Sequence, residues 1–115
     1  MKTKVTRLSG DAIVVLEPKG ELIGGDETED LRQTIEGLIK EGNKKLVIDL
    51  AKVHYLNSSA LGMLAWAHTN YSKRGGRIVL ASLEKNIQNI FVITKLSLVF
   101  DVYQDQRDSV ASFAK

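Results

Sequence analysis

The sequence predicts an α/β fold, a mixed β-sheet of four to five strands covered by four helices. Two observations predict it. The opening holds a pair of short β-branched runs joined by turn-forming residues. After them, strand-like runs alternate with stretches of helical period, and the resulting order ββ(β)αβαβαβα implies a sheet that is mainly parallel in its later part. The chain has 115 residues, 43% of them hydrophobic and 26% charged, with a single Pro, a composition that suits one buried core. Residues 1–115 are therefore read as one domain.

Val5 to Leu8 and Ile13 to Leu16 flank Ser9-Gly10-Asp11 and read as a β-hairpin. Pro18-Lys19-Gly20 should end the second strand near a sheet edge, because Pro cannot donate to a ladder. A short extended piece, Glu21 to Ile23, follows. Asp26-Glu27-Thr28-Glu29-Asp30 puts acids at the positive end of a helix dipole, with Asp26 and Glu29 at capping-box spacing. Leu31, Ile35, Leu38 and Ile39 make the apolar stripe of that helix, and Gly42-Asn43 stops it. Lys45 to Leu50 reads KLVIDL, too short for a buried helix and suited to a central strand.

A loop then leads to Asn57-Ser58-Ser59, which opens a helix running to about Arg74 and closed by Gly75-Gly76. Ser58 or Ser59 is a natural N-cap. At about 100° per residue, Leu61, Leu64, Ala65, His68 and Tyr71 point inward. Ser59, Met63, Trp66 and Asn70 then line the opposite face, with Trp66 exposed as an interface anchor. Arg77 to Ala81 is another strand. Ser82 can cap a helix with the stripe Ile87, Ile90, Phe91 and Thr94, Val99 to Tyr103 is the last strand, and a final helix from Gln106 turns Val110 and Phe113 inward.

The composition excludes several functions. Sixteen Lys+Arg against fourteen Asp+Glu, interspersed in sign, leave no nucleic-acid footprint. Absence of Cys and only two His remove thiolate chemistry and make a metal site poor, so no metal and no cofactor is expected. No glycine loop has dinucleotide or P-loop spacing, which argues against a nucleotide-binding protein. No Ser lies in Gly-x-Ser-x-Gly, so a hydrolytic triad is not expected. Met1 to Leu8 lacks the apolar run of a signal peptide, and Ala12 to Leu16 and Ile90 to Ile93 fall short of the about 18 residues a membrane span needs. The expectation is a cytoplasmic protein without membrane insertion, a monomer or weak dimer. Asp49 reads as a loop cap, His54 as a surface or partner residue, and His68 as a hydrogen-bonded, half-buried histidine.

The informative segment is DLAKVHYLNSSALGML, residues 49–64. It resembles the signature of the STAS domain, and in particular the bacterial anti-sigma factor antagonists, whose pattern is close to Asp-Leu-Ser-x-Val-x-Phe-[Met/Ile]-Asp-Ser-Ser/Thr-Gly-Leu-Gly. The likeness extends through PKGELIGGDETEDLRQTI and GGRIVLASLEKNIQNIFVITKLSLVFDVY and covers nearly the whole chain. The resemblance implies a partner-switching protein without catalysis of its own. When unphosphorylated it would bind an anti-sigma factor that is also a serine kinase; phosphorylation at the helix start would release it, and a serine phosphatase would restore it. The family's phosphoacceptor aligns with Ser58, with Ser59 as second choice, and the partner surface would comprise His54, Asn57, Ser58, Ser59, Met63 and Trp66. Asn57 replaces the family's Asp, Ala60 its Gly, and Ile23 the Asp of a Gly-x-Leu-Asp pattern. Since Asn57 removes a carboxylate beside Ser58, the alternative is a constitutive STAS scaffold or complex subunit without the switch.

Overall fold

The central strand Lys45–Asp49 alternates its side chains between two buried faces, and that alternation organises the molecule. Leu46 and Ile48 join the larger apolar cluster on one face, and Val47 joins Ile13, Val15, Val79 and Ala81 on the other. A strand covered on both sides must be apolar throughout, which is why KLVID looks continuous in the sequence. The computed structural model describes residues 3–8, 10 and 12–114.

The elements are β1 (Lys4–Leu8), β2 (Ile13–Glu17), β3 (Lys19–Leu22), α1 (Asp26–Glu41), β4 (Lys45–Asp49), β5 (Lys52–Leu56), α2 (Ser58–Lys73), β6 (Arg77–Ala81), α3 (Lys85–Ile93), a 3-10 turn (Leu96–Leu98), β7 (Asp101–Tyr103), α4 (Gln106–Ala111) and a closing 3-10 turn (Ser112–Ala114). A five-stranded sheet has the order β1-β2-β4-β6-β7. Its hairpin β1–β2 is antiparallel, and the pairs β2–β4, β4–β6 and β6–β7 are parallel. α1, α2 and α3 bury their apolar sides in the larger cluster, while Val110 of α4 and Phe113 after it pack on the opposite face. The mixed α/β sheet with four helices is thus as expected. Among the described residues no helix is long and apolar enough to cross a membrane.

Several local expectations are corrected. Ser9 and Asp11 of the expected hairpin turn lie outside the described residues. β2 is not near an edge, since it runs between β1 and β4. Pro18 falls between β2 and β3, where the chain leaves one sheet for another, so its missing N–H costs no ladder bond. α1 has no capping box: Gly25 is the N-cap residue and makes no side-chain cap, which puts Asp26 one position too late. The Thr28 hydroxyl instead accepts from the Gly24 N–H at 2.9 Å. Ser82 caps nothing, because its backbone is left-handed at φ 65° and its N–H donates to the Tyr103 carbonyl at 3.1 Å. On α3, Ile87 and Phe91 are buried but Thr94 is exposed. The last strand starts at Asp101, two residues later than expected, because Val99 belongs to the turn that closes on the Leu96 carbonyl.

The loop expected between Leu50 and Asn57 contains a strand. β5 pairs in parallel with β3 as a separate two-stranded sheet, and its register jumps from Gly20↔Val53 to Glu21↔Tyr55. His54 is therefore the extra residue of a β-bulge. The bulge sets the buried Val53 and Leu56 three positions apart, which erases the period of two that would have marked a strand.

Tyr71 ties α2 to the turn after α1. Its ring is buried, and its hydroxyl donates to Asn43 Oδ1 at 2.8 Å, while Asn43 Nδ2 donates to the Ala12 carbonyl at 3.2 Å. Burial pushes the Tyr71 phenol well above the usual range, and the charge of Glu41 adds to the effect. A phenol whose folded pKa exceeds its unfolded value, about 10, stabilises the fold below that pH and loses the contribution as pH rises through the folded pKa. Urea midpoints should therefore fall above about pH 10. Tyr71→Phe should lose about 1 kcal/mol at neutral pH, the worth of the Asn43 bond, and show a flatter alkaline decline.

Candidate functional site

The start of α2 is assembled from three chain segments. Asn57, in extended conformation, is the N-cap, and its Oδ1 accepts from the Ala60 N–H at 3.2 Å. The cap is therefore Asn57 and neither Ser58 nor Ser59, which places Ser58 at the first helical position. The same side chain holds the preceding crossover, because Asn57 Nδ2 donates to the Ile23 carbonyl at 3.0 Å and the Asn57 N–H donates to the Leu22 carbonyl at 3.1 Å. An amide can accept at the helix and donate to a carbonyl at once, whereas an ionised carboxylate can only accept. This explains Asn at a position where the resembling pattern has Asp.

Gly24 comes against the second serine. A Cβ on it would stand 3.4 Å from Ser59 Cβ, and its φ of +90° already favours glycine. Ser58 and Ser59 are both exposed, but Ser59 thus has the crossover loop beside it. Among the described residues neither hydroxyl makes a hydrogen bond. With Ala60 N–H held by Asn57 Oδ1 and Leu61 N–H by the Asn57 carbonyl, the amides of Ser58 and Ser59 are the ones without an intrahelical partner, at the positive end of a 16-residue helix.

Two exposed apolar residues flank the serines. Ile23 and Tyr55 keep 47% and 46% of their surface, Ile23 just beyond β3 and Tyr55 on β5 opposite Glu21. Tyr55 carries no signal in the sequence, where 51–57 reads as a loop. His54 is exposed as expected and its Nδ1 lies 2.9 Å from Glu84 Oε2, while Asn86 Nδ2 donates to its carbonyl at 3.0 Å. Those contacts hold the bulge against the start of α3.

The expected outer row of α2 is corrected. Met63 is only 7% exposed and belongs to the larger core cluster. Trp66 is half-buried and packs against that cluster, so it is not the free anchor the helical wheel suggested. The buried residues of α2 are Ala60, Leu61, Met63, Leu64, Ala67 and Tyr71, a stripe turned toward the two alanines. Small side chains let a helix sit close to a sheet, so Ala60 and Ala67 are buried while Ala65 and His68, expected to point inward, are only partly covered. His68 is half-buried and packs edge-on against Phe100, ring centroids 5.2 Å apart. Among the described residues it makes no side-chain hydrogen bond. What remains exposed beyond the serines is Gly62, Thr69, Ser72 and Lys73.

Asp49 acts as a loop cap. Its Oδ1 accepts from the Ala51 N–H at 2.9 Å and its Oδ2 from Gln106 Nε2 at 2.8 Å, which fixes the end of β4 just before β5. Among the described residues no group of three His, Asp or Glu could hold a metal ion.

Asn57 should carry a measurable share of this geometry. Asn57→Ala removes the cap and the tie to Ile23, and is expected to cost about 2 kcal/mol in urea unfolding, roughly 1 from each. Asn57→Asp restores the cap but sets a carboxylate against the Ile23 carbonyl, so its stability should fall between the two.

The fold and the sequence both have known counterparts. A family model described as STAS domain matches residues 4–109. The candidate anti-sigma factor antagonist BtrV of Bordetella bronchiseptica is 21% identical over 113 residues, covering 98% of this chain and 95% of that protein. Among solved structures, a candidate anti-sigma factor antagonist of Thermotoga maritima superposes with a TM-score of 0.90 at 18% identity, covering 98% of this chain and 95% of the other. The Bacillus cell fate determinant SpoIIAA in its phosphorylated form gives a TM-score of 0.75 at 16% identity, covering 96% and 97%. These structures share the fold, and since the family model runs from β1 into α4, the chain belongs to the STAS domain family.

Proposed function

We propose that this protein is an anti-sigma factor antagonist that works by partner switching, with Ser58 as the phosphoacceptor. The observation that carries the reading is the placement of Ser58, exposed at the first position of α2 with the capping role already taken by Asn57. Its hydroxyl can be modified without unmaking the helix. Ser59 is the second choice, with Gly24 beside it. A phosphate at Ser58 would meet the unpartnered amides of the helix start, the same features that bind free phosphate. The names of BtrV and of the Thermotoga protein carry the antagonist role, and SpoIIAA is known in both unphosphorylated and phosphorylated forms.

The unphosphorylated protein would bind an anti-sigma factor that is also a serine kinase, through a surface comprising Asn57, Ser58, Ser59 and His54 with Ile23 and Tyr55 beside them. A serine phosphatase would reverse the modification. The regulator has no catalysis of its own in this reading and acts in the cytoplasm as one domain. Asn57 favours a second reading, a constitutive STAS scaffold, because the residue next to Ser58 is a neutral structural tie where the resembling pattern has an acid. Incubation with the cognate anti-sigma kinase and ATP, followed by mass spectrometry, decides between them. One phosphate on Ser58, lost in Ser58→Ala, is the expected result. Label on Ser59 alone would reject the assignment, and an unlabelled protein that still binds its partner would favour the scaffold.

A further inference from the structure

The small sheet carries charge at the end that faces away from the serines. β3 and β5 run parallel, so Ile23 and Tyr55 lie toward Ser58, and Lys19 and Lys52 start the two strands at the opposite end. Lys19 and Lys52 are register partners and both are exposed. Like charges set side by side on a sheet repel, and among the described residues neither ammonium has an ion-pair partner. Together with Gly20, Glu27 and His54 they line a cleft of 490 Å³ that is open to solvent. Gly20 adds no side chain to this space, and its φ of +94° favours glycine. The cleft thus sets two ammonium groups against one carboxylate, Glu27, because the His54 ring is already engaged by Glu84.

We propose that this cleft receives an extended acidic segment of the anti-sigma partner, with Lys19 and Lys52 pairing its carboxylates and speeding its docking. The inference rests on the antagonist reading and carries that partner surface beyond His54 to the far end of the small sheet. Charge complementarity selects the occupant. Two lysines fall short of the cluster of four to eight that holds an anionic membrane, and no aromatic residue lines the cleft as a stacking platform for single-stranded nucleic acid. An open cleft cannot enclose most of a small ligand, whereas an extended chain needs only one wall. From Lys52 to Asn57 the strand covers roughly 15 Å, more than the Debye length of about 8 Å at physiological salt. The lysines therefore act on the encounter with the partner, independently of a charge at Ser58.

Two measurements test the proposal. In NMR titrations at low ionic strength, a short peptide of alternating Glu and Gly should shift the amides of residues 19–21 and 52–54, with a dissociation constant of about 0.1 to 1 mM. Free glutamate and inorganic phosphate at the same concentration should shift them far less. The double variant Lys19→Glu/Lys52→Glu, with unchanged circular dichroism, should lose the response to this peptide and respond instead to one of alternating Lys and Gly. Ser58→Asp should keep the wild-type response. In stopped-flow binding to the cognate anti-sigma partner, the double variant should associate at least about tenfold more slowly at low salt, with a flatter salt dependence and little change in dissociation. The proposal is overturned if the acidic peptide leaves these amides unmoved, if inorganic phosphate binds there as tightly as the peptide, or if the double variant associates with the partner as fast as wild type. In the last case the antagonist reading stands; it falls, and this inference with it, only if the wild type fails to bind an anti-sigma partner.

Discussion

Ser58→Asp and Ser58→Glu are expected to weaken binding to the anti-sigma partner at least a hundredfold, while leaving the fold at or slightly above wild-type stability. The two effects have different origins. At the first position of α2, an acid faces the positive end of the helix dipole and gains about 0.3 to 1 kcal/mol. In the proposed interface, the same charge would have to be desolvated against the partner, and an uncompensated charge buried in an interface costs several kcal/mol. The second effect wins by a wide margin in binding and has no counterpart in the free protein. A phosphate, with about −1.5 to −2 charge, should act more strongly still. Titration calorimetry reads the affinity and urea unfolding the stability. Unchanged affinity would place Ser58 outside the partner surface, and a lost fold would show that the helix start cannot accept an acid.

Phe100→Ala is expected to cost about 3 to 5 kcal/mol, the range for emptying an aromatic site in a packed core. Phe100 is 3% exposed and meets both the His68 ring of α2 and the Phe91 ring of α3, so its removal opens a void where two helices and the last strand converge. Leu98→Ala, two residues away but 82% exposed, should change monomer stability by less than about 0.5 kcal/mol. Denaturant midpoints of the two variants at low protein concentration give the comparison. A small loss at Phe100 would mean that α2, α3 and the last strand are only loosely packed where they meet.

Apart from β5, the order of the elements was legible because each owes its form to its own residues. The stripe Leu31, Ile35 and Leu38 with the left-handed Gly42 after it makes α1 wherever it packs, and KLVID makes a central strand because both its faces are apolar. The opening of α2 at Ser58 was legible for a similar reason, since Asn57-Ser58-Ser59 is a local stop-and-start signal, although which residue caps it was misread. The Asn57 bond to the Ile23 carbonyl joins positions 34 residues apart, and no local pattern announces such a pair.

β5 and the phase of α2 became visible only in three dimensions. β5 is a strand because β3 lies beside it, and the bulge at His54 that lets them pair also breaks the alternation that would have revealed it. The face of α2 that is buried follows from how closely Ala60 and Ala67 allow the helix to approach the sheet, a property of the space between elements. The sequence by itself determined which segments other than β5 become helix or strand and where Ser58 stands, because hydrogen bonding and apolar periodicity act over a few residues. Tertiary structure alone decided which side chains of those segments reach solvent, because burial is set by neighbours distant in the chain.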